Sequence, residues 1–97
     1  MRRLRILSSA KAELRQARRF LDTERPGYGD VLLSRFEQAV SLIRRHPFSA
    51  PVIYEQYRKV SLGKPKYSIV YSIEGDEIVI VALMHHRQNP DYWKSRI

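Results

Sequence analysis

The side chains of this sequence that could do chemistry lie in its second half, within and just after apolar segments. Those with acid–base or anion-binding groups are Arg58, Lys59, Tyr67, Tyr71, His85 and Arg87. An arginine can hold a phosphate through two parallel hydrogen bonds, and a histidine or a tyrosine can exchange protons. If the segments are neighbouring strands, these groups could converge on one sheet face or its rim. Such a cluster could cleave RNA without a metal ion.

The same pattern allows a structural interpretation and excludes other kinds of site. Tyr71 lies at an alternating position typical of a core, and His85 could be a buried residue that caps the sheet. His85 and His86 are adjacent, so on a strand they point to opposite faces and do not readily share one ion. The chain has no cysteine, glycine-rich phosphate loop or locally spaced Ser-His-Asp set. We therefore expect neither a cofactor nor a metal ion.

The C-terminal segment NPDYWKSR has two interpretations. Tyr92 and Trp93 could stack on bases or anchor a protein partner. An aromatic pair just after a final strand could instead fold back over an open end of the core, because large aromatic side chains are usually mostly buried. A packed tail still presents one surface, so the two interpretations are compatible.

Apolar spacing in the first half predicts one strand followed by two antiparallel helices. Residues 2–7 alternate basic and apolar side chains, as a half-buried edge strand does. Ser8 and Ser9 supply the first helix N-cap, and the proline and glycines of ERPGYGD end that helix and leave Asp30 as the next N-cap. The apolar stripe of the second helix is Leu32, Phe36, Ala39, Val40 and Ile43.

The second half predicts three strands after an irregular connection with some strand character near its end. We expect these strands at residues 58–62, 67–73 and 77–83, with a tight turn between the last two. The third is almost wholly apolar, which indicates a central strand. The predicted fold class is α+β: a small, mostly antiparallel sheet with two antiparallel helices packed on one face. Its order is β-α-α-β-β-β, in a single domain spanning residues 1–97.

The charge of the chain points to anionic partners. It has 18 Lys and Arg against 10 Asp and Glu, a net charge of +8 and a pI near 10.2. Such a surface attracts nucleic acid, acidic protein segments or anionic membranes, although it can also serve solubility alone. The longest apolar stretch is far shorter than a membrane span, and the basic N-terminal segment does not resemble a signal peptide. We expect a cytoplasmic protein that does not associate with membranes.

The order of elements and the end of the chain resemble the RelE/ParE superfamily of toxins from bacterial toxin–antitoxin modules. The resemblance covers nearly the whole chain, from AKAELRQARRFL and RFEQAVSLIRRHP through RKVSLGKPKYSIVYSIEGDEIVIVALMHHR to NPDYWKSR. The positions that match the family in order are Arg58, Tyr67, Ile69, Tyr71, His85, Arg87, Pro90 and Trp93. Two positions depart from the pattern: Lys66 separates Pro65 from the tyrosine, and Gln88 stands where a second arginine is common.

The resemblance implies one of two activities. ParE-like members poison DNA gyrase, whereas RelE-like members cut messenger RNA in the ribosome. The tail is closer to ParE-like and plasmid-stabilisation members, which favours a gyrase inhibitor. Its expected target-binding residues are Arg58, His85, Arg87, Tyr92 and Trp93. The alternative is a metal-independent endoribonuclease of ribosome-bound messenger RNA, with Arg58, Tyr67, His85 and Arg87 as catalytic residues.

The resemblance also implies a cognate antitoxin. Antitoxins of such modules wrap the toxin with a segment that is often acidic and folds on binding, which would account for the basic charge. Operator DNA would then be contacted only through the antitoxin. A third possibility is a degenerate member that only helps its antitoxin to bind operator DNA.

Overall fold

The structure, a computed structural model, describes residues 2–97. Its elements in chain order are β1 (Arg3–Ile6), α1 (Ser8–Glu24), α2 (Tyr28–Arg45), β2 (Val52–Tyr54), β3 (Tyr57–Ser61), β4 (Tyr67–Glu74), β5 (Glu77–His85) and a C-terminal 3₁₀ helix (Tyr92–Arg96). The six predicted elements are confirmed in their predicted order. The structure adds β2 at the end of the irregular connection and the 3₁₀ helix in the tail. Within the described residues, neither helix is long and apolar enough to cross a membrane.

The five strands form one sheet with the spatial order β1-β5-β4-β3-β2. β1 runs parallel to β5, and the other three neighbouring pairs are antiparallel. The predicted α+β class with a mostly antiparallel sheet is therefore confirmed, and so is the position of β1 at an edge. β5 lies between β1 and β4, as its apolar sequence indicated.

The sheet is covered on both faces. The helices pack on one face, where Leu32, Phe36 and Ile43 meet side chains of β4 and β5. The 3₁₀ helix covers the other face, where Trp93 packs with Tyr57. The prediction that two helices lie on one face is confirmed, and the tail packs on the core, as one of its two interpretations expected. The tail covers the second face because its one tryptophan is large enough to seal a narrow sheet.

A β-bulge interrupts β5 in the middle of its pairing with β4. Tyr71 lies opposite Ile80 and Val70 lies opposite Ala82, so the extra residue, Val81, has no partner on β4. Val81 and Ala82 consequently both belong to the cluster under the 3₁₀ helix. The bulge shifts the alternation of β5 by one residue. Every side chain of β5 after the bulge, including that of His85, therefore lies on the opposite face of the sheet from the one it would have in a regular strand.

The local side-chain caps that the sequence suggested for the two helices do not form. α1 begins at Ser8 with Leu7 as its N-cap residue, and no side chain caps it, so the prediction of a serine cap is wrong. α2 begins two residues before Asp30, so the prediction for that cap is also wrong. The Gly29 amide of α2 instead donates a 2.8 Å hydrogen bond to the Asp22 carboxylate of α1. The helix hairpin thus satisfies an end that a local side chain would otherwise satisfy.

The close approach of the two helices at Gly29 gives a first prediction. A Cβ atom there would lie 2.6 Å from the Arg18 carbonyl oxygen and 2.9 Å from the Asp22 carboxylate. We expect Gly29→Ala to lower the free energy of unfolding by about 1–3 kcal/mol, because the helices must move apart. Urea unfolding measures this loss. Ser34→Ala, on an exposed turn of α2, is the control, and equal stability of the two variants would contradict the prediction.

Candidate functional site

A cleft opens between the C-terminal half of α1 and the ends of β4 and β5. It consists of two adjoining hollows of about 290 Å³ and 450 Å³, and both are lined by Phe20, Tyr67 and His85. The smaller hollow reaches Glu13 and Gln88. The larger hollow is completed by Leu21, Tyr28, Lys64, Pro65, Lys66, His86 and Arg87. We call the two hollows together the basic cleft.

The floor of the basic cleft is the pair formed by Tyr67 and His85. The two residues are direct partners across β4 and β5, and their rings meet edge to face with centroids 5.0 Å apart. Tyr67 is only 8% exposed, and its hydroxyl is not bonded within residues 2–97. Burial raises the pKa of the Tyr67 phenol, so the hydroxyl keeps its proton at neutral pH. The cleft therefore contains a hydrogen-bond donor that awaits a partner.

The His85 ring is held by the turn that follows β5. Its Nδ1 accepts a 3.0 Å hydrogen bond from the Arg87 main-chain N–H, so in the neutral ring the proton lies on Nε2. The Gln88 side-chain oxygen accepts a 2.7 Å hydrogen bond from the His85 N–H. Burial, followed by the charges of Arg87 and His86, lowers the pKa of His85. At neutral pH the imidazole is therefore neutral and oriented.

The mouth of the larger hollow is positively charged. Lys64, Lys66 and Arg87 are all exposed there, and no Asp or Glu lines this hollow within residues 2–97. His86 turns away from His85, because its Nε2 lies 3.2 Å from the Ser68 hydroxyl. The described residues contain no group of three or more His, Asp, Glu or Cys placed to hold a metal ion. The arrangement suits an anionic or hydrogen-bond-accepting partner rather than a cation.

Arg58 lies apart from the basic cleft. It is opposite Tyr71 across β3 and β4, four residues along β4 from Tyr67, which is roughly 13 Å at the usual strand rise. Its guanidinium donates hydrogen bonds of 3.0 Å and 2.6 Å to the carbonyls of Phe48 and Ala50. The structure thus brings together three residues of the proposed catalytic set, Tyr67, His85 and Arg87, but not Arg58.

Tyr71 and Trp93 both serve the core. The Tyr71 ring is fully buried, and its hydroxyl donates a 2.6 Å hydrogen bond to the Pro47 carbonyl. Trp93 is 0% exposed, and its indole N–H donates to the Pro90 carbonyl at 2.7 Å. The expectation that Trp93 contacts a target directly is thereby corrected. Its ring is needed to cover the second face of the sheet, which leaves none of it accessible.

Sequence reasoning missed a partly buried ionic cluster that fixes the tail beside β5. Arg96 holds both carboxylate oxygens of Glu13, at 2.9 Å and 3.0 Å, and the Tyr92 hydroxyl donates to the same carboxylate. Burial and the hydrogen bond to Glu13 raise the pKa of Tyr92 well above its usual range. Glu13 lies three residues after Ala10 and four before Ala17, both buried. The sequence signal for this cluster was therefore a glutamate on the buried, apolar face of the first helix.

The same cluster occupies the open edge of β5. β1 pairs with β5 only as far as Ile80, so the later main-chain groups have no strand beside them. Glu13 accepts a 3.0 Å hydrogen bond from the Leu83 N–H, and Arg96 donates one of the same length to the Val81 carbonyl. These two side chains make the hydrogen bonds to the β5 main chain that a neighbouring strand would otherwise make. They also fix the strand end that carries His85.

The ionic cluster gives a second prediction. Glu13→Ala should lower the free energy of unfolding by about 2–4 kcal/mol, since it leaves the Leu83 N–H, Tyr92 and Arg96 without their partner in a mostly buried place. The free energy follows from urea unfolding. Glu37→Ala, which removes an exposed carboxylate on α2, is the matched control. A loss at Glu13 no larger than at Glu37 would show that solvent replaces the cluster.

The environment of His85 gives a third prediction. Its pKa, followed through the ring resonances in an NMR titration, should lie below the usual 6.5. Arg87→Ala should raise this pKa only part of the way, because burial, the larger cause, remains. Since the folded pKa is depressed, the stability that neutral His85 contributes is complete above pH 6.5 and is lost as pH falls. Lys94→Ala is the control, and a pKa above 6.5 would contradict this account.

Comparison with known proteins identifies the family and finds solved structures with the same fold. The family of ParE toxins of the type II toxin–antitoxin system parDE matches residues 4–90. A chain of a chromosomal ParDE system from P. aeruginosa superposes with a TM-score of 0.77 and 17% identity, over 88% of this chain and 96% of that chain. A copper-bound mutant toxin from Helicobacter pylori gives 0.61 and 18%, over 89% and 96%. Comparison with curated protein sequences gives no match. Because the family match spans nearly the whole fold, this chain belongs to the ParE toxins of type II toxin–antitoxin systems.

Proposed function

We propose that this ParE-family toxin inhibits DNA gyrase through its basic cleft and that a cognate antitoxin neutralises it. In this proposal residues 1–97 act as one toxin domain in the cytoplasm, and operator DNA is reached only through the antitoxin. The observation that carries the proposal is the combination of a mostly buried Tyr67, whose hydroxyl makes no hydrogen bond within residues 2–97, with a neutral, oriented His85 under an exposed cationic rim. This combination supports binding of an acceptor-rich surface.

The state of His85 argues for binding over acid–base catalysis. A general base needs a free lone pair, but Nδ1 already accepts the Arg87 N–H, and Nε2 carries the proton of the neutral ring. A general acid needs an imidazolium, which the lowered pKa makes scarce at neutral pH. His85 is therefore suited to donate a hydrogen bond rather than to exchange a proton. This reasoning supports the gyrase inhibitor over the ribonuclease.

One observation still favours the ribonuclease as a second candidate. Tyr67, His85 and Arg87 meet in a cleft that Lys64 and Lys66 also reach, and aromatic and basic groups together suit single-stranded nucleic acid. The distance of Arg58 counts against it, because the anchoring arginine of the proposed catalytic set is bonded elsewhere. A ribonuclease would have to hold the phosphate with the lysines or with Arg87.

The exposed surface of α1 supports the antitoxin part of the proposal. Lys11, Arg15 and Arg19 are exposed along this helix, and Phe20 is 55% exposed at the border of the basic cleft. An apolar ring among cations fits an acidic segment that also carries apolar side chains. Screening by salt should weaken such a complex, because much of the attraction is between charges near the surface.

The proposed function is tested by measuring two activities, inhibition of gyrase and cleavage of messenger RNA, with the same purified proteins. Wild type should inhibit supercoiling by gyrase and should produce no new cuts in messenger RNA on translating ribosomes. His85→Ala and Arg87→Ala should each weaken the inhibition about tenfold or more, which corresponds to roughly 1.4 kcal/mol of binding, while thermal unfolding stays near that of wild type. Lys11→Ala, an exposed cation outside the cleft, should retain full inhibition.

Two outcomes would contradict the proposed function. Messenger cuts that disappear in His85→Ala, with supercoiling unaffected by wild type, would establish the ribonuclease and reject the gyrase inhibitor. Growth arrest that survives His85→Ala, Arg87→Ala and Tyr67→Phe would remove the basic cleft from the function. Arg58→Ala should act differently from these variants, by lowering stability through the lost bonds to the Phe48 and Ala50 carbonyls.

A further inference from the structure

The two hollows of the basic cleft differ in charge. The larger hollow has Lys64, Lys66 and Arg87 in its lining and no Asp or Glu within residues 2–97. The smaller hollow, of about 290 Å³, has no Lys or Arg in its lining within the same residues, and its one carboxylate is Glu13. Glu13 is itself paired with Arg96. An anion is therefore attracted to the larger hollow, whereas the smaller hollow offers it no cation.

Gln88 joins the smaller hollow to the main chain of His85. Its side-chain oxygen accepts a 2.7 Å hydrogen bond from the His85 N–H, and its own main-chain N–H donates a 3.1 Å hydrogen bond to the His85 carbonyl. One residue thus closes the turn after β5 twice. With its oxygen held at His85, the carboxamide has its amino group left for other partners. That amino group makes no hydrogen bond within residues 2–97, and Gln88 is exposed where it lines the hollow.

Two further donors belong to the residues that line the smaller hollow. The Tyr67 hydroxyl makes no hydrogen bond within residues 2–97. The neutral His85 ring carries its proton on Nε2, because Nδ1 accepts the Arg87 N–H. Phe20, which is 55% exposed, adds an apolar wall to the same hollow. Donors beside an apolar wall suit an uncharged acceptor that is attached to an apolar group.

The carboxylate of the smaller hollow has no acceptor site left for a ligand. One oxygen of Glu13 accepts from the Leu83 N–H and from Arg96, and the other accepts from the Tyr92 hydroxyl and from Arg96. A carboxylate has about four acceptor sites, and these contacts use all of them. The edge of a nucleobase carries N–H donors beside its carbonyl groups, and such donors would find no partner on Glu13. A main-chain carbonyl needs donors alone.

We propose that Gln88 positions His85 and forms, with His85 and Tyr67, a donor site that binds a main-chain carbonyl of a protein segment. The carbonyl lies in the smaller hollow, and an apolar side chain of the segment packs on Phe20. The identification of that segment as part of gyrase rests on the proposed function, whereas the donor site follows from the contacts of this chain alone. The site makes the basic cleft selective for protein over nucleic acid.

Three small probes test the hollows without gyrase. N-acetyl-leucine methylamide supplies uncharged carbonyls with an apolar side chain, inorganic phosphate supplies an anion, and uridine monophosphate supplies a nucleobase with a phosphate. In NMR titrations of the intact toxin, the leucine amide should shift the side-chain amino resonances of Gln88 and the main-chain resonances of Ala17 saturably. Phosphate should shift the resonances of Lys64 and Lys66 instead. Uridine monophosphate should shift those of Gln88 no more than phosphate does.

Two substitutions of Gln88 separate its positioning role from its role as a donor. Gln88→Met keeps the length of the side chain but removes its oxygen and its amino group, whereas Gln88→Glu keeps an oxygen for the His85 N–H and removes the donor. Both should weaken binding of the leucine amide about fivefold, which is the effect of one ordinary hydrogen bond. The ¹⁵N resonances of the His85 ring, recorded at about pH 8 where the ring is neutral, should move in Gln88→Met and stay near those of wild type in Gln88→Glu.

Gln38→Met, the same change at an exposed glutamine of α2, is the control and should alter neither measurement. Thermal unfolding of all variants should stay near that of wild type, because both glutamines are exposed. The proposal is overturned if Gln88→Glu binds the leucine amide as wild type does, if Gln88→Met leaves the His85 ring resonances unchanged, or if uridine monophosphate binds at Gln88 more tightly than the leucine amide. Binding of the leucine amide at Gln88 by a toxin that does not inhibit gyrase would support the donor site and reject the proposed target alone.

Discussion

The main chain of β5 beyond Ile80 is the constraint on which much of this structure depends. It lies at the centre of the fold, buried on both faces, yet β1 ends beside Ile80 and leaves the rest of that edge without a strand. Buried N–H and C=O groups without partners cost free energy comparable to a lost hydrogen bond. Glu13 and Arg96 supply the partners from α1 and the tail. One ionic cluster therefore joins the first helix, the central strand and the end of the chain.

The same tail also covers the second face of the sheet. Once Arg96 is bound to Glu13, the 3₁₀ helix lies across β5, and Trp93 is placed over the side chains that the bulge turns to that face. Val81 and Ala82 both point toward it, which gives the indole a continuous apolar floor. A sheet of five strands with helices on one face would otherwise expose this surface to water. The tail is thus part of the core rather than an appendage.

The bulge and the turn after β5 together decide what the basic cleft can do. The bulge places His85 on the helix side beside Tyr67, and the Arg87 main chain then fixes its tautomer. Burial, followed by the charges of Arg87 and His86, lowers the pKa of His85, so the ring stays neutral at neutral pH. A neutral donor beside a buried phenol recognises acceptors well but exchanges protons poorly. For this reason we favour target binding over catalysis.

The sequence by itself determined the family, the fold class and the order of the main elements. Helical stripes such as Leu32, Phe36 and Ile43, and the almost wholly apolar segment of β5, depend on period and burial, which neighbouring residues largely specify. It also identified Tyr67, His85 and Arg87 as groups that the topology could bring together. These features are local, or follow from which strands are neighbours.

The tertiary structure decided the features that depend on contacts between distant residues. The spacing around Val81 carries no mark of a bulge, so strict alternation gives no means of placing His85 on the helix side. The Arg58 guanidinium is bound by carbonyls of a segment whose path the sequence left irregular. Whether Trp93 would face a partner or the core depended on a bond between Glu13 and Arg96, which are 83 positions apart. A pattern of nearby residues does not encode such a pairing, because it forms only when the chain has folded around β5.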